Sequence, residues 1–335
     1  MSQTHQFKNG RTQISWMEAG PADGPLMLFI HGWPELGLIW RPQLEYFAAR
    51  GWRCIAPDMR GYGASIAPTE FSAYALRELV QDMVELHDAV GGAPAVWVGH
   101  DWGSPVIGAL AARHPKRCHG AILISLPYFP DGFALPTVVP LVDRGLYPLE
   151  QYPYGQWDYY RFYHEAFDQA AADLEADVAA TLASIFRPGS PALVGKISPT
   201  ATVRARGGRF GDAHRAPPTA PDPNMLLPDD FEAFLAAFRR TGFRNADAWY
   251  MNDVDNIAFS RETSGRLAQP VLFINGDWDP ICDITRGRLG EPMRAACSNL
   301  SVSNLQGGHW LMRERPAAVN TAIDAWLARS ALAKR

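Results

Sequence analysis

The chain has 335 residues and a formal charge of −4, with 47% hydrophobic and 20% charged residues. This composition is ordinary for a soluble globular protein and excludes an intrinsically disordered chain. The slightly acidic balance argues against a nucleic-acid-binding surface, which normally carries a basic excess. We therefore expect the ligand to be a neutral small molecule.

Four cysteines are widely spaced and form no C-x-x-C pair: Cys54, Cys118, Cys282 and Cys297. Their spacing predicts buried thiols in a reducing compartment, and neither a disulfide framework nor a zinc site. The first residues lack the pattern of a secretory signal, and no uncharged apolar run approaches the ~18 residues that span a bilayer. We expect a cytoplasmic protein without a membrane span.

Short apolar runs that end in Gly, Asp or Pro alternate with segments of helical periodicity along much of the chain. This alternation predicts an α/β protein with a mainly parallel sheet and helices on both faces. Helices are predicted at 73–90, where the apolar residues form one stripe, and at 104–113. The predicted strands are 12–18, 25–31, 53–58, 95–100, 120–126, 270–276 and 299–305.

The alternation stops between residues 129 and 259, where the strand signals disappear. Helices are predicted there at 159–186 and at 229–240, the second beginning with acidic residues that suit a helix N-terminus. Between these helices, 188–228 is rich in Gly, Pro and Arg and is predicted to be an extended loop, of a length that usually serves a function. Strand signals resume at residue 270. The sequence therefore predicts a core domain, 1–128 and 260–335, with an inserted helical lid domain, 129–259.

The stretch VGHDWGS, residues 98–104, places Asp101 between Gly99 and Gly103, after a predicted strand and before a predicted helix. This is the spacing of a nucleophile elbow, in which glycines permit a sharp turn. A serine at this position needs a base to remove its proton, whereas an aspartate is already ionised near neutral pH. Asp101 is therefore predicted to attack a saturated carbon that carries a leaving oxygen or halide, forming an alkyl ester.

Five motifs occur in one order: HGWPE at 31–35, DMRGYGAS at 58–65, GHDWG at 99–103, GDWDP at 276–280 and GGHW at 307–310. Together they resemble the α/β-hydrolase family over almost the whole chain and, within it, the epoxide hydrolases. The resemblance implies an α/β-hydrolase fold with an inserted helical lid, or cap, and no cofactor or metal. It also implies that the backbone N–H groups of Trp33 and Trp102 form an oxyanion hole.

Hydrolysis of the alkyl ester requires a base for water. His309 is the predicted base, and Asp279 is the predicted carboxylate that orients it and stabilises the imidazolium. Asp277 and Asp283 lie close to Asp279 in the sequence and are alternatives. Some related enzymes place this acid after the strand that ends here near residue 126, which makes Asp131 a further candidate.

Ring opening of an epoxide produces an alkoxide, which a phenol can protonate at neutral pH. Epoxide hydrolases of this type use two lid tyrosines, and the resemblance of 241–252 to the second tyrosine's segment points to Tyr250. The segment 157–167 resembles the first and favours Tyr159, with Tyr160 and Tyr163 as alternatives.

The predicted reaction is therefore the conversion of a small apolar epoxide and water to a vicinal diol. A haloalkane or haloacid dehalogenase, which uses the same nucleophile, is the alternative enzyme. Haloalkane dehalogenases typically carry Asn where this chain has Trp33, and fluoroacetate-type relatives carry Arg where it has Trp102. A catalytically silent protein that binds a small molecule on this fold is the third hypothesis. The sequence leaves the oligomeric state open, a homodimer included.

Overall fold

A computed structural model describes residues 3–330 and 332. Within them, eight strands form one sheet: β1 Gln3–Lys8, β2 Gln13–Ala19, β3 Leu26–Ile30, β4 Arg53–Pro57, β5 Ala95–His100, β6 Cys118–Ile124, β7 Val271–Gly276 and β8 Leu300–Leu305. Their spatial order is β1-β2-β4-β3-β5-β6-β7-β8. β2 pairs antiparallel with β1 and β4, and the remaining pairs are parallel. The predicted α/β fold with a mainly parallel sheet is confirmed.

The central strands are continuous apolar runs because both faces of a parallel sheet are covered. Every residue of β3, β5 and β7 is buried. The seven predicted strands are confirmed to within a few residues of their ends. Sequence patterns did not identify β1, since this edge strand, QTHQFK, has no buried residue and hence no apolar face.

Twelve α-helices lie in the described residues. They are α1 Arg41–Ala48, α2 Leu76–Ala89, α3 Gly103–Arg113, α4 Leu135–Val138, α5 Asp158–Glu175, α6 Val178–Ile185, α7 Pro228–Thr241, α8 Arg244–Asp247, α9 Asp253–Arg261, α10 Glu291–Ala296, α11 Leu311–Glu314 and α12 Pro316–Arg329. Some of them pack on the sheet, and α4 to α9 lie in the segment between β6 and β7. The crossover from β3 to β4 runs along the sheet in the opposite direction to the crossovers β4 to β5 and β5 to β6, so right-handed connections place α1 opposite α2 and α3. Accordingly, α1 contacts α11 and α12, whereas α2 contacts α3.

The single helix predicted at 159–186 is wrong, because two helices, α5 and α6, occupy this range. The side chain of Asp177 accepts the backbone N–H of Ala180 at 3.0 Å and caps α6, which gives the chain an alternative to continuing α5. The alanine-rich composition favours helix throughout and conceals this boundary. The helix predicted at 229–240 is confirmed as α7.

Between β6 and β7 the described chain contains helices and turns but no strand. The predicted loop 188–228 is confirmed, since three short 3-10 helices, Pro191–Leu193, Pro199–Thr202 and Gly211–Ala213, interrupt an otherwise irregular path. The division into a core domain and an inserted lid domain, 129–259, stays a prediction. We refer to 129–259 below as the predicted lid.

The four cysteines are free and buried, as their spacing predicts. Burial raises the pKa of Cys118 and of Cys297 to about 12, so both thiols are protonated at neutral pH. Across residues 3–330 and 332, no helix combines the length and the apolar character needed to cross a membrane.

The sheet brings two loops together at the point where its strand order reverses. β3 lies between β4 and β5, so the loop after β3, which contains Trp33, adjoins the turn after β5, which contains Asp101. This is where open α/β sheets bind ligands. Asp101 has φ +49°, the left-handed backbone that the predicted nucleophile elbow requires. A Cβ on Gly103 would lie 2.1 Å from the carbonyl oxygen of Ile30, so glycine lets the turn approach β3.

The close approach at Gly103 predicts a stability difference between two glycine variants. Gly103→Ala should lower the free energy of unfolding by about 1–3 kcal/mol, because the methyl group overlaps a buried backbone carbonyl. The control Gly10→Ala has no atom within 4 Å of its Cβ and should change it by less than about 0.5 kcal/mol. Urea unfolding measures both values, and equal effects would contradict the steric argument.

Candidate active site

The carboxylate of Asp101 is buried, and its two oxygens have different partners. Oδ1 accepts the backbone N–H of Trp33 at 2.7 Å, and Oδ2 lies 3.5 Å from Nε2 of His309. Burial alone would raise the pKa of Asp101, but the hydrogen bond and charge of His309, together with the Trp33 N–H, outweigh it and hold the pKa below its usual value. The carboxylate is therefore ionised at neutral pH.

His309 lies between two carboxylates. Its Nδ1 is 2.7 Å from Oδ2 of Asp279, whose other oxygen accepts the backbone N–H groups of Ile281 and Cys282 at 2.9 and 3.1 Å. Burial lowers the pKa of His309, but the charge of Asp279 and hydrogen bonds to Asp101 and Asp279 outweigh it and hold the pKa well above its ordinary value. In the free protein, the imidazole is therefore protonated.

The alternative acids lie elsewhere. Asp277 and Asp283 both accept hydrogen bonds from Nδ2 of Asn275, at 3.2 and 3.1 Å. Asp131 pairs at 2.9 Å with Arg261, and both side chains are more than half exposed. Of the four candidate carboxylates, the structure brings Asp279 to the imidazole.

The backbone of the His309 loop is held by side chains that sequence patterns did not identify. The carbonyl oxygen of His309 accepts Oγ–H of Ser125 at 2.6 Å and lies 2.8 Å from Nε2 of His100. One oxygen of Glu314, Oε2, accepts the N–H of Gly308 at 2.7 Å and the N–H of Gly189 in the predicted lid at 3.0 Å. The only sequence signal for any of them is the position of His100 directly before Asp101.

A fully buried histidine–glutamate pair links the His309 loop to the loop that follows β3. Nδ1 of His100 lies 2.7 Å from Oε1 of Glu35, and both side chains are inaccessible to solvent. The other oxygen of Glu35 accepts the N–H of Gly32 at 2.7 Å. The loop that supplies the Trp33 N–H and the loop that carries His309 are thus fixed to each other beneath the site.

Asp101 opens into a cavity of about 290 Å³ that Tyr159, Tyr250 and His309 also line. Burial and then the nearby charge of Asp101 raise the pKa of Tyr159. Burial and then the nearby Tyr159 and Asp101 raise the pKa of Tyr250. Both phenols therefore keep their protons at neutral pH.

The alternative tyrosines of the predicted lid have other partners. Tyr160 donates its hydroxyl to Asp253. Tyr163 interacts with the buried carboxyl of Asp247. The structure thus places Tyr159 and Tyr250, and not these two residues, beside Asp101.

The two tryptophans of the predicted oxyanion hole have different surroundings. The N–H of Trp33 contacts Asp101 as described. The Trp102 indole is buried and packs edge-on against Tyr250, with ring centroids 5.3 Å apart. The role of the Trp102 backbone N–H stays a prediction.

Asp279, Cys282 and His309 bring three potential metal-ligand atoms within 4.8 Å of one another. However, Asp279 and His309 already bond to each other. Burial and the charge of Asp279 raise the pKa of Cys282 to about 12, so its sulfur is a protonated thiol rather than the thiolate that binds metals. This cluster fits proton transfer better than metal binding.

Comparison with known proteins gives one consistent assignment. Residues 25–316 match the model of the alpha/beta hydrolase fold family. The chain is 31% identical to epoxide hydrolase A of Mycobacterium tuberculosis over 318 residues, which cover 93% of this chain and 92% of that protein.

Two solved structures are similar over nearly the whole chain. Epoxide hydrolase A from Mycobacterium thermoresistibile has a TM-score of 0.80 and 28% identity, with 98% of both chains covered. An epoxide hydrolase from an endophytic Streptomyces has a TM-score of 0.78 and 30% identity, with 98% of this chain and 95% of that chain covered. The chain therefore belongs to the α/β-hydrolase family and, within it, to the epoxide hydrolases.

Proposed function

We propose that this protein hydrolyses an epoxide to a vicinal diol through a covalent ester of Asp101. One observation carries the proposal. The ionised carboxylate of Asp101 lines the same cavity as the His309–Asp279 pair and the two protonated phenols of Tyr159 and Tyr250. The epoxide hydrolases among its relatives support the same reaction.

In the first step, Oδ2 of Asp101 attacks a ring carbon, and the bond from that carbon to the epoxide oxygen breaks. Oδ1 stays on the Trp33 N–H, which leaves Oδ2 as the attacking oxygen. Tyr159 or Tyr250 gives its proton to the departing oxygen, which would otherwise leave as a strongly basic alkoxide. The product is a hydroxyalkyl ester and a phenolate.

Ester formation also prepares the second step. The ester carries no charge, so the imidazolium of His309 loses one of the two carboxylates that stabilise it and its pKa falls. The proton that His309 releases restores the phenol. His309 then becomes neutral and can act as a base, with Asp279 still in place to stabilise the charge that returns.

In the second step, His309 removes a proton from water, which attacks the ester carbon of Asp101. Negative charge develops on Oδ1, where the Trp33 N–H already donates, and the Trp102 N–H is the second proposed donor. The tetrahedral intermediate collapses and the bond between the ester carbon and Oδ2 breaks, so Oδ2 leaves with the diol. The proton of the newly added hydroxyl passes to the departing oxygen, which restores the Asp101 carboxylate and leaves His309 protonated as in the free protein. The new carboxylate oxygen therefore comes from water.

The two phenols favour epoxide opening over dehalogenation. A halide leaves without a proton and needs only a weakly polar environment, whereas an alkoxide needs a donor. Two buried, protonated hydroxyls beside the nucleophile match the second requirement. Dehalogenation and ligand binding without catalysis remain the alternatives, and incubation with styrene oxide and 1-chlorobutane, with diol and chloride assays, separates them.

The covalent mechanism predicts where oxygen from water goes. In a single turnover in H₂¹⁸O, the label should enter Asp101, and the diol should carry an oxygen from the protein. His309→Gln should accumulate an adduct whose mass increase equals that of the epoxide, because ester formation does not need the base. Mass spectrometry measures both, and label that appears first in the diol would show direct hydration instead.

The proposed proton donors predict a slower first step when a hydroxyl is removed. Tyr159→Phe and Tyr250→Phe should each slow formation of the ester by about tenfold to a hundredfold, and the double variant by about 10³-fold or more. Rapid-quench measurement of adduct formation reports this step. The control Tyr154→Phe removes a lid hydroxyl outside the cavity and should leave the rate unchanged. Equal rates in all variants would assign the proton to another donor.

The charge coupling between Asp101 and His309 predicts a change in titration. Asp101→Asn removes a negative charge beside the imidazolium, so the pKa of His309 should fall towards its ordinary value. The control Asp131→Asn, on the surface, should leave it unchanged. NMR of labelled histidine measures the pKa, and an unshifted value in Asp101→Asn would contradict the coupling on which the second step depends.

A further inference from the structure

Two arginines, Arg187 and Arg209, lie in the wall of the cavity beside Asp101, and Arg209 also lines a second space. Arg187 donates to the carbonyl oxygen of Ala220 at 2.6 Å. Arg209, in the loop 188–228, borders the 290 Å³ cavity and an open groove of about 1170 Å³ on its outer side. The walls of the cavity are otherwise largely aromatic and aliphatic, with Trp33, Trp157 and Ile185 among them. A guanidinium at this position borders both the space beside Asp101 and the groove.

Arg209 differs from Arg204 and Arg215, two other arginines of the groove, in having no ionic partner among the described residues. Arg206 also forms no ion pair among them, but it borders the groove and not the cavity. Arg204 pairs with Glu165 at 2.6 Å, and Arg215 pairs with Asp177 at 3.2 Å. Among the described residues, Arg209 forms no ion pair within 4.0 Å. Its charge is therefore available to a ligand.

The surroundings of Arg209 hold it in place without neutralising it. Its guanidinium carbon lies 5.2 Å from the ring centroid of Trp33, a cation–π contact. The indole N–H of Trp33 in turn donates to the buried Asp247 at 2.8 Å. Burial raises the pKa of Asp247 to about 8, against the Trp33 hydrogen bond and the Arg209 charge.

We propose that Arg209 binds a carboxylate of the substrate, so that the epoxide carries an acid group a few bonds from its ring. A guanidinium offers two parallel donors that match the two oxygens of a carboxylate. Partial enclosure by Trp33 strengthens such a pair relative to one in water. This inference rests on the proposed function and replaces the neutral ligand expected from composition.

The size of the cavity limits the acid. Its volume of about 290 Å³ is near the lower end of the roughly 300–1,000 Å³ typical of small-molecule sites. With Asp101 and Arg209 both in its wall, a short chain between epoxide and acid can reach both. Binding of the acid then orients the ring towards Oδ2 of the nucleophile.

The test compares an acid with its uncharged amide. The wild-type protein is assayed with 4,5-epoxypentanoate, 5,6-epoxyhexanoate and 7,8-epoxyoctanoate and with the corresponding amides. For at least one chain length, kcat/KM should be about tenfold or more higher for the acid, and this ratio should fall as NaCl screens the half-buried guanidinium. Arg209→Gln should bring the acid-to-amide ratio to about one, and Arg209→Lys should restore part of it.

The control Arg206→Gln removes an exposed charge from the groove outside the cavity and should keep the wild-type ratio. A wild-type protein that hydrolyses the amides as well as the acids at every chain length would overturn the inference and leave the proposed function standing. A wild-type ratio in Arg209→Gln would also overturn it. If neither acids, amides nor styrene oxide are hydrolysed, the proposed function fails as well. The wild-type ratio and its salt dependence decide the matter even if Arg209→Gln does not fold.

Discussion

The structure of this site depends on one buried positive charge between two negative ones. The imidazolium of His309 contacts Asp279 at 2.7 Å and faces Asp101 at 3.5 Å. The imidazolium and the backbone N–H donors together lower the pKa of each carboxylate against the effect of burial, and the two carboxylates raise the pKa of the imidazole. The proposed reaction uses this mutual dependence, since esterification of Asp101 cancels one charge and converts the acid at His309 into a base.

Hydrogen bonds that involve backbone atoms fix the positions of Asp101, Asp279 and His309. Asp101 is fixed by the elbow and by Trp33, Asp279 by two N–H groups after β7, and the carbonyl of His309 by Ser125. The ends of neighbouring parallel strands therefore supply the whole arrangement, while the predicted lid supplies the two phenols. Small shifts of one strand end would separate the charges, which explains the dense hydrogen bonding beneath the site.

Sequence patterns predict those parts of the fold and of the candidate site that depend on the spacing of neighbouring residues. The elbow at Asp101 was predictable because glycine spacing and strand periodicity are local signals, and so were most of the strands. The break between α5 and α6 was not, since one capping aspartate outweighs an alanine-rich composition. The free charge of Arg209 was also hidden: a net charge averages over all side chains, and only the fold shows which arginines lack a partner.

The contact between Gly189 and Gly308 has a consequence for the wall of the cavity. A Cβ on Gly189 would lie 2.4 Å from Cα of Gly308, and both N–H groups share Oε2 of Glu314. Any movement that lifts the 188–189 segment away from the sheet must therefore break the Gly189 bond to the carboxylate oxygen that also holds the His309 loop. The position of this wall of the cavity and the position of the imidazole thus depend on the same oxygen atom of Glu314.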